Sequence, residues 1–127
     1  MTENFKTVGR TVIRKDAWDK AAGRAHYTGD IPVEDFCWGA ILRSPHHYAR
    51  IDQINTSQAL GVPGVKAILT AEDIPGAKIF GPLVQDQPSL AVDFVRHLGE
   101  PVALVIAENK STAELARDLI EVHYQEL

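Results

Sequence analysis

The stretch that decides the fold is GEPVALVIAENKSTAELARDLIEVHYQEL, residues 99–127. Gly99-Glu100-Pro101 reads as a turn. Val102 to Ala107 is an unbroken apolar run, rich in β-forming residues and too short for a helix. It predicts a strand buried on both faces. Glu108-Asn109-Lys110 is polar and ends the run. Ser111 and Glu114 have the S-x-x-E spacing of a capping box, in which each side chain accepts a backbone N–H of the other end. A helix is expected from Thr112 to Ile120. Ala113, Leu115, Ala116, Leu119 and Ile120 are assigned to its apolar side, and Glu114, Arg117, Asp118 and Glu121 to its polar side. Beyond it, Val122 and Tyr124 alternate with Glu121, His123 and Gln125, as in a half-exposed strand. Strand, helix and strand in this order predict a βαβ crossover with its two strands parallel. The unit is a core nucleus with no chemistry of its own.

Composition sets the frame around that nucleus. A chain of 127 residues is the size of a single domain, expected here over 1–127, with 1–7 a flexible arm. The net charge of −4 argues against a nucleic-acid partner, which needs a concentrated basic surface. The basic run from Arg10 to Arg24 is interrupted by Asp16 and Asp19. No segment has the length of a membrane-spanning helix, and the N-terminus lacks a signal-peptide pattern. Cys37 is the one cysteine, so an internal disulfide or a cysteine-based metal cluster has no second ligand. The chain reads as soluble and cytoplasmic.

Working outward, Val8, Thr11, Val12 and Ile13 suit a short strand or extended arm. Asp16 to Ala22 has helical character, with Asp16 as N-cap, Gly23 as C-cap and Trp18 as its buried anchor. Phe36 to Arg43 is a strand: Phe36, Trp38, Ala40 and Leu42 share one face, Cys37, Gly39 and Ile41 the other. Ala49 to Ile54 is a strand that needs a twist or bulge to place Ile51 and Ile54 together. Thr56 to Leu60 is a helical turn, Val65 to Leu69 a strand, and Thr70 to Asp73 a short helix closed by Pro75-Gly76. Ala77 to Leu90 is irregular, and a long irregular loop in a compact domain is often functional. Phe94 to Leu98 is a short strand. The fold class is α+β: a mixed sheet, one long C-terminal helix in a βαβ unit, and short inserted helices.

No group of residues makes a self-sufficient active site. Neighbours in an extended segment point opposite ways, so His46 and His47 do not chelate one metal. His26, His97 and His123 are isolated. Cys37 sits in an apolar run between Phe36 and Trp38 and reads as a small core residue rather than a nucleophile. Asp30, Asp35, Glu72, Asp73 and Glu100 lie beside turns, where capping and Asx-turn roles account for them. The glycines form no phosphate cradle, and Ser44 lacks a nucleophile-elbow pattern.

End to end, the chain resembles a known module. The matching pieces include KAAGRAHYTGDI at Lys20 to Ile31, ILRSP at Ile41 to Pro45, Ala49-Arg50-Ile51 and Pro63-Gly64-Val65. AEDIPG at Ala71 to Gly76, DQPSLA at Asp86 to Ala91 and GEPVA at Gly99 to Ala103 continue the series. In this order they resemble the α/β hammerhead domain that opens the molybdenum-binding subunit of the xanthine dehydrogenase/aldehyde oxidase family. Tyr48 departs from the pattern, which usually has histidine there.

The resemblance implies a structural, non-catalytic part of a molybdenum hydroxylase. Such oxidoreductases insert a water-derived oxygen at an aldehyde or N-heterocycle carbon. It implies no cofactor in this chain, but a molybdopterin (molybdenum) cofactor, iron–sulfur clusters and often FAD in the assembled enzyme. The implied partners are molybdopterin-binding domains or a separate subunit carrying them, together with iron–sulfur and FAD subunits; a homodimer is compatible. Since the module normally ends near Leu127, the molybdenum ligands and catalytic base are expected outside this chain. Met1 fits a split-subunit arrangement. The resemblance brings the Phe80–Ser89 loop to the substrate channel, with Phe80, Leu83, Val84 and Gln85 as the channel residues; a purely structural loop explains the same stretch. A stand-alone binding or assembly domain that kept the fold is the alternative function.

Overall fold

The computed structural model describes Val8, Gly9 and residues 11–127; the expected arm at 1–7 lies outside the described residues. Chain contacts group the protein into two compact units, Met1–Glu34 and Asp35–Leu127.

In the first unit, α1 (Ala17–Ala21) is a five-residue helix and a 3-10 turn spans Thr28–Asp30. Trp18 is not the buried anchor expected of it: the residue is 72% exposed, and α1 buries nothing. Nor does the Asp16 carboxylate cap the helix. It pairs instead with Lys20 at 2.6 Å and Arg14 at 3.0 Å, so surface ion pairs brace this short helix. Among the described residues before Ala17 there is no strand, and Val8, Val12 and Ile13 are exposed.

The second unit holds the sheets. Its elements are β1 (Trp38–Arg43), β2 (Ala49–Asn55), α2 (Ser57–Leu60), β3 (Val65–Leu69), β4 (Ile79–Phe80), β5 (Gln87–Pro88), β6 (Phe94–Val95), β7 (Pro101–Ala107), α3 (Lys110–Asp118) and β8 (Glu121–Glu126). They form a sheet ordered β1-β7-β3, a second ordered β6-β2-β8, and the small β4-β5 ladder. The α+β class stands.

Among the described residues the parallel βαβ crossover and the mixed sheet do not occur. Every described ladder is antiparallel, and β7 and β8 lie in different sheets. Both edges of β7 are taken, by β1 and β3, so no backbone donors remain there for β8. The chain leaves α3 and pairs with β2 instead, from Ala49↔Glu126 to Asn55↔Glu121. The bulge anticipated in β2 is present between Ile51 and Gln53.

β7 is the strand around which the core is built. Val102, Ala103, Val105 and Ala107 are fully buried. Ala103 and Val105 meet Ala59 of α2, Ala116 of α3 and Ile120 in one cluster, and Ala107 meets Ala40 and Ala113 in another. Val102 joins Ala49, Ala91 and Val95. Alanine dominates these contacts because helix and sheet approach closely, and bulkier groups would be overpacked.

The cap of α3 also differs from expectation. Asn109, not Ser111, is the N-cap: its extended backbone lets its side-chain oxygen accept from Thr112 N at 2.9 Å. Ser111 lies inside the first turn and donates to that same oxygen at 2.8 Å. Glu114 faces Lys110 at 3.9 Å rather than closing a capping box. Leu115, assigned to the apolar side, is 55% exposed; Ala113 and Ala116 carry the buried stripe. The i, i+3 spacing of those two alanines puts them on one face, and Leu115 projects away from it.

Candidate functional site

The irregular stretch before β7 folds as a miniature hairpin. Ile79 pairs with Pro88 and Phe80 with Gln87, and Ser89 N donates to Lys78 O at 3.2 Å. Between them the chain turns back tightly at Gly81. A Cβ at this position would lie 1.8 Å from the Val84 carbonyl oxygen, so no other residue fits the backbone there. The turn thrusts out an apolar tip: Leu83 is 96% exposed and Val84 66%. Gln85 is exposed beside them.

Phe80 alone of the four expected channel residues enters a hollow. This space of about 370 Å³ is lined by Phe80, Asp86, Gln87, Pro88, Arg96, His97, Glu100 and Pro101. Leu83, Val84 and Gln85 stand on the hairpin tip and do not line it. The back of the hollow is fixed by Glu100, whose side chain is only 4% exposed. One carboxylate oxygen accepts from Arg96 N, and the other faces the Arg96 guanidinium at 3.4 Å. Burying a carboxylate is costly unless it is paired and hydrogen-bonded, and here Arg96 does both.

The Gly99 turn holds this pair in place. Gly99 has φ +83°, a left-handed conformation in which a side chain is strained. Gly99 N donates to Ser44 O at 2.9 Å, Ser44 N donates to Glu100 O at 2.9 Å, and Arg43 Nη1 donates to Gly99 O at 2.8 Å. The turn is thereby tied to the end of β1. Glu100, read from sequence as a turn carboxylate, is a buried pivot. The signal that could have found it is Arg96 four residues earlier, within reach once the chain turns. With both oxygens engaged by Arg96, Glu100 shapes the wall of the hollow and is not a free base.

The other candidates are scattered. His46 Nδ1 lies 2.6 Å from Glu126 Oε1, and its ring tilts against Tyr124 with centroids 4.8 Å apart. Burial pushes the Tyr124 phenol upward, and a hydrogen bond with Ser44 partly offsets this. His47, His97 and His123 are exposed. Cys37 is exposed rather than a core residue: β1 begins only at Trp38, so Cys37 precedes the ladder that would have buried it. Asp73 serves the capping role expected of a turn carboxylate. It accepts from Thr70 N at 2.7 Å and Thr70 Oγ1 at 3.0 Å, and those bonds, the backbone one first, hold its carboxyl below the ordinary value. Among the described residues, no three His, Cys, Asp or Glu side chains converge as a metal-holding set. Nor is any helix among them long and apolar enough to cross a membrane.

Comparison with known proteins places this geometry in context. The sequence pattern of the family described as "Aldehyde oxidase and xanthine dehydrogenase, a/b hammerhead domain" matches residues 22–127. The chain is 38% identical over 115 residues to a probable xanthine dehydrogenase subunit of Bacillus subtilis, covering 91% of this chain and 15% of that protein. It is 32% identical over 127 residues to the nicotinate dehydrogenase large molybdopterin subunit of Eubacterium barkeri, covering all of this chain and 30% of that protein. Among solved structures, the CO dehydrogenase of Oligotropha carboxidovorans superposes with a TM-score of 0.84 at 34% identity, over 94% of this chain and 15% of the other. The chain thus spans well under half the length of each of these relatives.

Proposed function

The chain belongs to the aldehyde oxidase and xanthine dehydrogenase family as its α/β hammerhead domain, and from that premise we propose that it is the structural, non-catalytic module of a molybdenum hydroxylase. The observation that carries the reading is the family match over residues 22–127, with relatives that include a molybdopterin subunit. In the assembled enzyme the molybdopterin centre supplies the oxidation of an aldehyde or N-heterocycle carbon. The described residues bring together no three His, Cys, Asp or Glu side chains, and we place the molybdopterin centre in the part of the enzyme outside this stretch. The proposed partners are the molybdopterin-binding part of the enzyme and its iron–sulfur and FAD subunits. The absence of a second cysteine suits a reducing, cytoplasmic location.

Within that assembly the module contributes shape. The Gly81 turn holds the Leu83–Val84 tip in one geometry, and the Arg96–Glu100 pair stiffens the ground behind Phe80. We assign Phe80, Leu83, Val84 and Gln85 to the wall of the substrate channel, where apolar side chains select substrates by fit and exclude water.

The test is purification by a tag on this chain, with metal analysis. The chain alone should carry no stoichiometric molybdenum, and the co-purified assembly should carry it. Failure to recover a molybdenum-containing assembly would favour the stand-alone alternative. In reconstituted holoenzyme, Leu83→Ala with Val84→Ala should change kcat/KM or substrate preference by about tenfold. Unchanged kinetics would remove these residues from the channel.

A further inference from the structure

The sheet β1-β7-β3 has two faces, and only one is covered by helices. Antiparallel partners directly opposite each other share a face. Ala40↔Val105 and Leu42↔Ala103, with Ile68↔Val105, define the face that meets α2 and α3. Gly39↔Ile106 and Ile41↔Leu104, with Ala67↔Ile106 and Leu69↔Leu104, define the other.

That second face carries Gly39, Ile41, Ala67, Leu69, Leu104 and Ile106 without a polar side chain among them. None of the six belongs to, or packs as a partner of, the three buried clusters. Ile41 is 41% exposed. At one end the face sinks into a depression of about 340 Å³, reached by Ile41, Leu69 and Leu104 and rimmed by Ile74, Pro75 and Leu90. An apolar face on a strand sheet outside every core cluster is the signature of an interaction surface.

We propose that this face is the seat on which the molybdopterin-binding part of the enzyme docks, inserting apolar side chains into the depression. The proposal rests on the hammerhead-module reading given above. Two observations select this occupant. The greater part of each relative's length lies outside the stretch this chain matches, so a large body must rest against the module. A second copy of the chain has less to offer: a two-fold interface matches the patch to itself, and with Leu69, Leu104, Ile106 and Ala67 half-buried its single raised side chain, Ile41, is itself one of the residues that line the hollow.

The experiment is hydroxyl-radical footprinting of Ile41, Leu69, Leu104 and Ile106, in the free chain and in the tag-purified, molybdenum-containing holoenzyme. Oxidation of Ile41 should fall at least about fivefold in the holoenzyme. Equal oxidation in a holoenzyme that has assembled overturns the docking face and leaves the module reading standing. If no molybdenum-containing assembly is recovered, the module reading fails and takes this partner with it. Protection already present in the free chain, and growing with its concentration, assigns the face to a second copy and overturns the proposal. Ile41→Glu should lower recovery of the holoenzyme about tenfold with the thermal unfolding of the free chain preserved; the wild-type footprint decides the matter if that variant does not fold.

Discussion

Glu100 and Gly99 show how single residues set the geometry of this protein. Gly99 has open space where a Cβ would project but adopts φ +83°. Gly99→Ala is therefore expected to cost about 1–2 kcal/mol from backbone strain alone, read as a shift in the urea midpoint. Asp73 offers a pH test. Its carboxyl is held below the ordinary value of 3.8, first by the Thr70 backbone N–H and then by the Thr70 hydroxyl. A lowered folded value means that the carboxylate stabilises the fold above its unfolded value. That contribution is lost as pH falls through the folded one. Melting temperature measured from pH 5 down to about pH 3 should fall more steeply in the wild type than in Asp73→Asn. Identical slopes would mean that the Thr70 bonds do not persist in solution.

At the scale of elements, α3 and β7 give separable predictions. Asn109 caps α3 through Thr112 N, so Asn109→Ala should destabilise the protein by about 1 kcal/mol. Ser111→Ala should cost less, because Ser111 only braces the capping oxygen. The reverse order would restore Ser111 as the cap. Val105 is fully buried against Ala59, Ala116 and Ile120, and Val105→Ala should cost about 2 kcal/mol by leaving a cavity. The Ser111–Glu114 spacing misled because a capping box is a local pattern, whereas the N-cap is whichever residue has the extended backbone as the chain leaves the strand. Asn109 has it, at φ −148° and ψ 165°. Its own short polar side chain was the better cue.

For the whole molecule, the question is where a small module meets a larger enzyme. Two of its uncovered apolar features, the Leu83–Val84 tip and the open face of β1-β7-β3, play different parts. The tip is a projecting wall element, small and held by Gly81. The sheet face is a broad seat with a hollow. Substitutions at the tip should therefore alter kinetics while the assembly persists. Substitutions at Ile41 should alter recovery of the assembly.

Order along the chain determined a good deal by itself. The apolar run of β7, the strand periodicities of β1, β2 and β3, and the bulge in β2 were legible because each depends on neighbours two to four residues apart. The family was legible because short motifs such as GEPVA and AEDIPG keep their order over nearly the full length. Pairing was decided only by the tertiary structure. Strand–helix–strand order predicts a parallel crossover when the first strand has a free edge, and β1 and β3 occupy both edges of β7. The same holds for burial. Trp18 and Cys37 look like core residues in sequence but are exposed, while Glu100 looks like a surface turn and is buried against Arg96. Local periodicity reports which side of an element is apolar; what covers that side depends on segments tens of residues away.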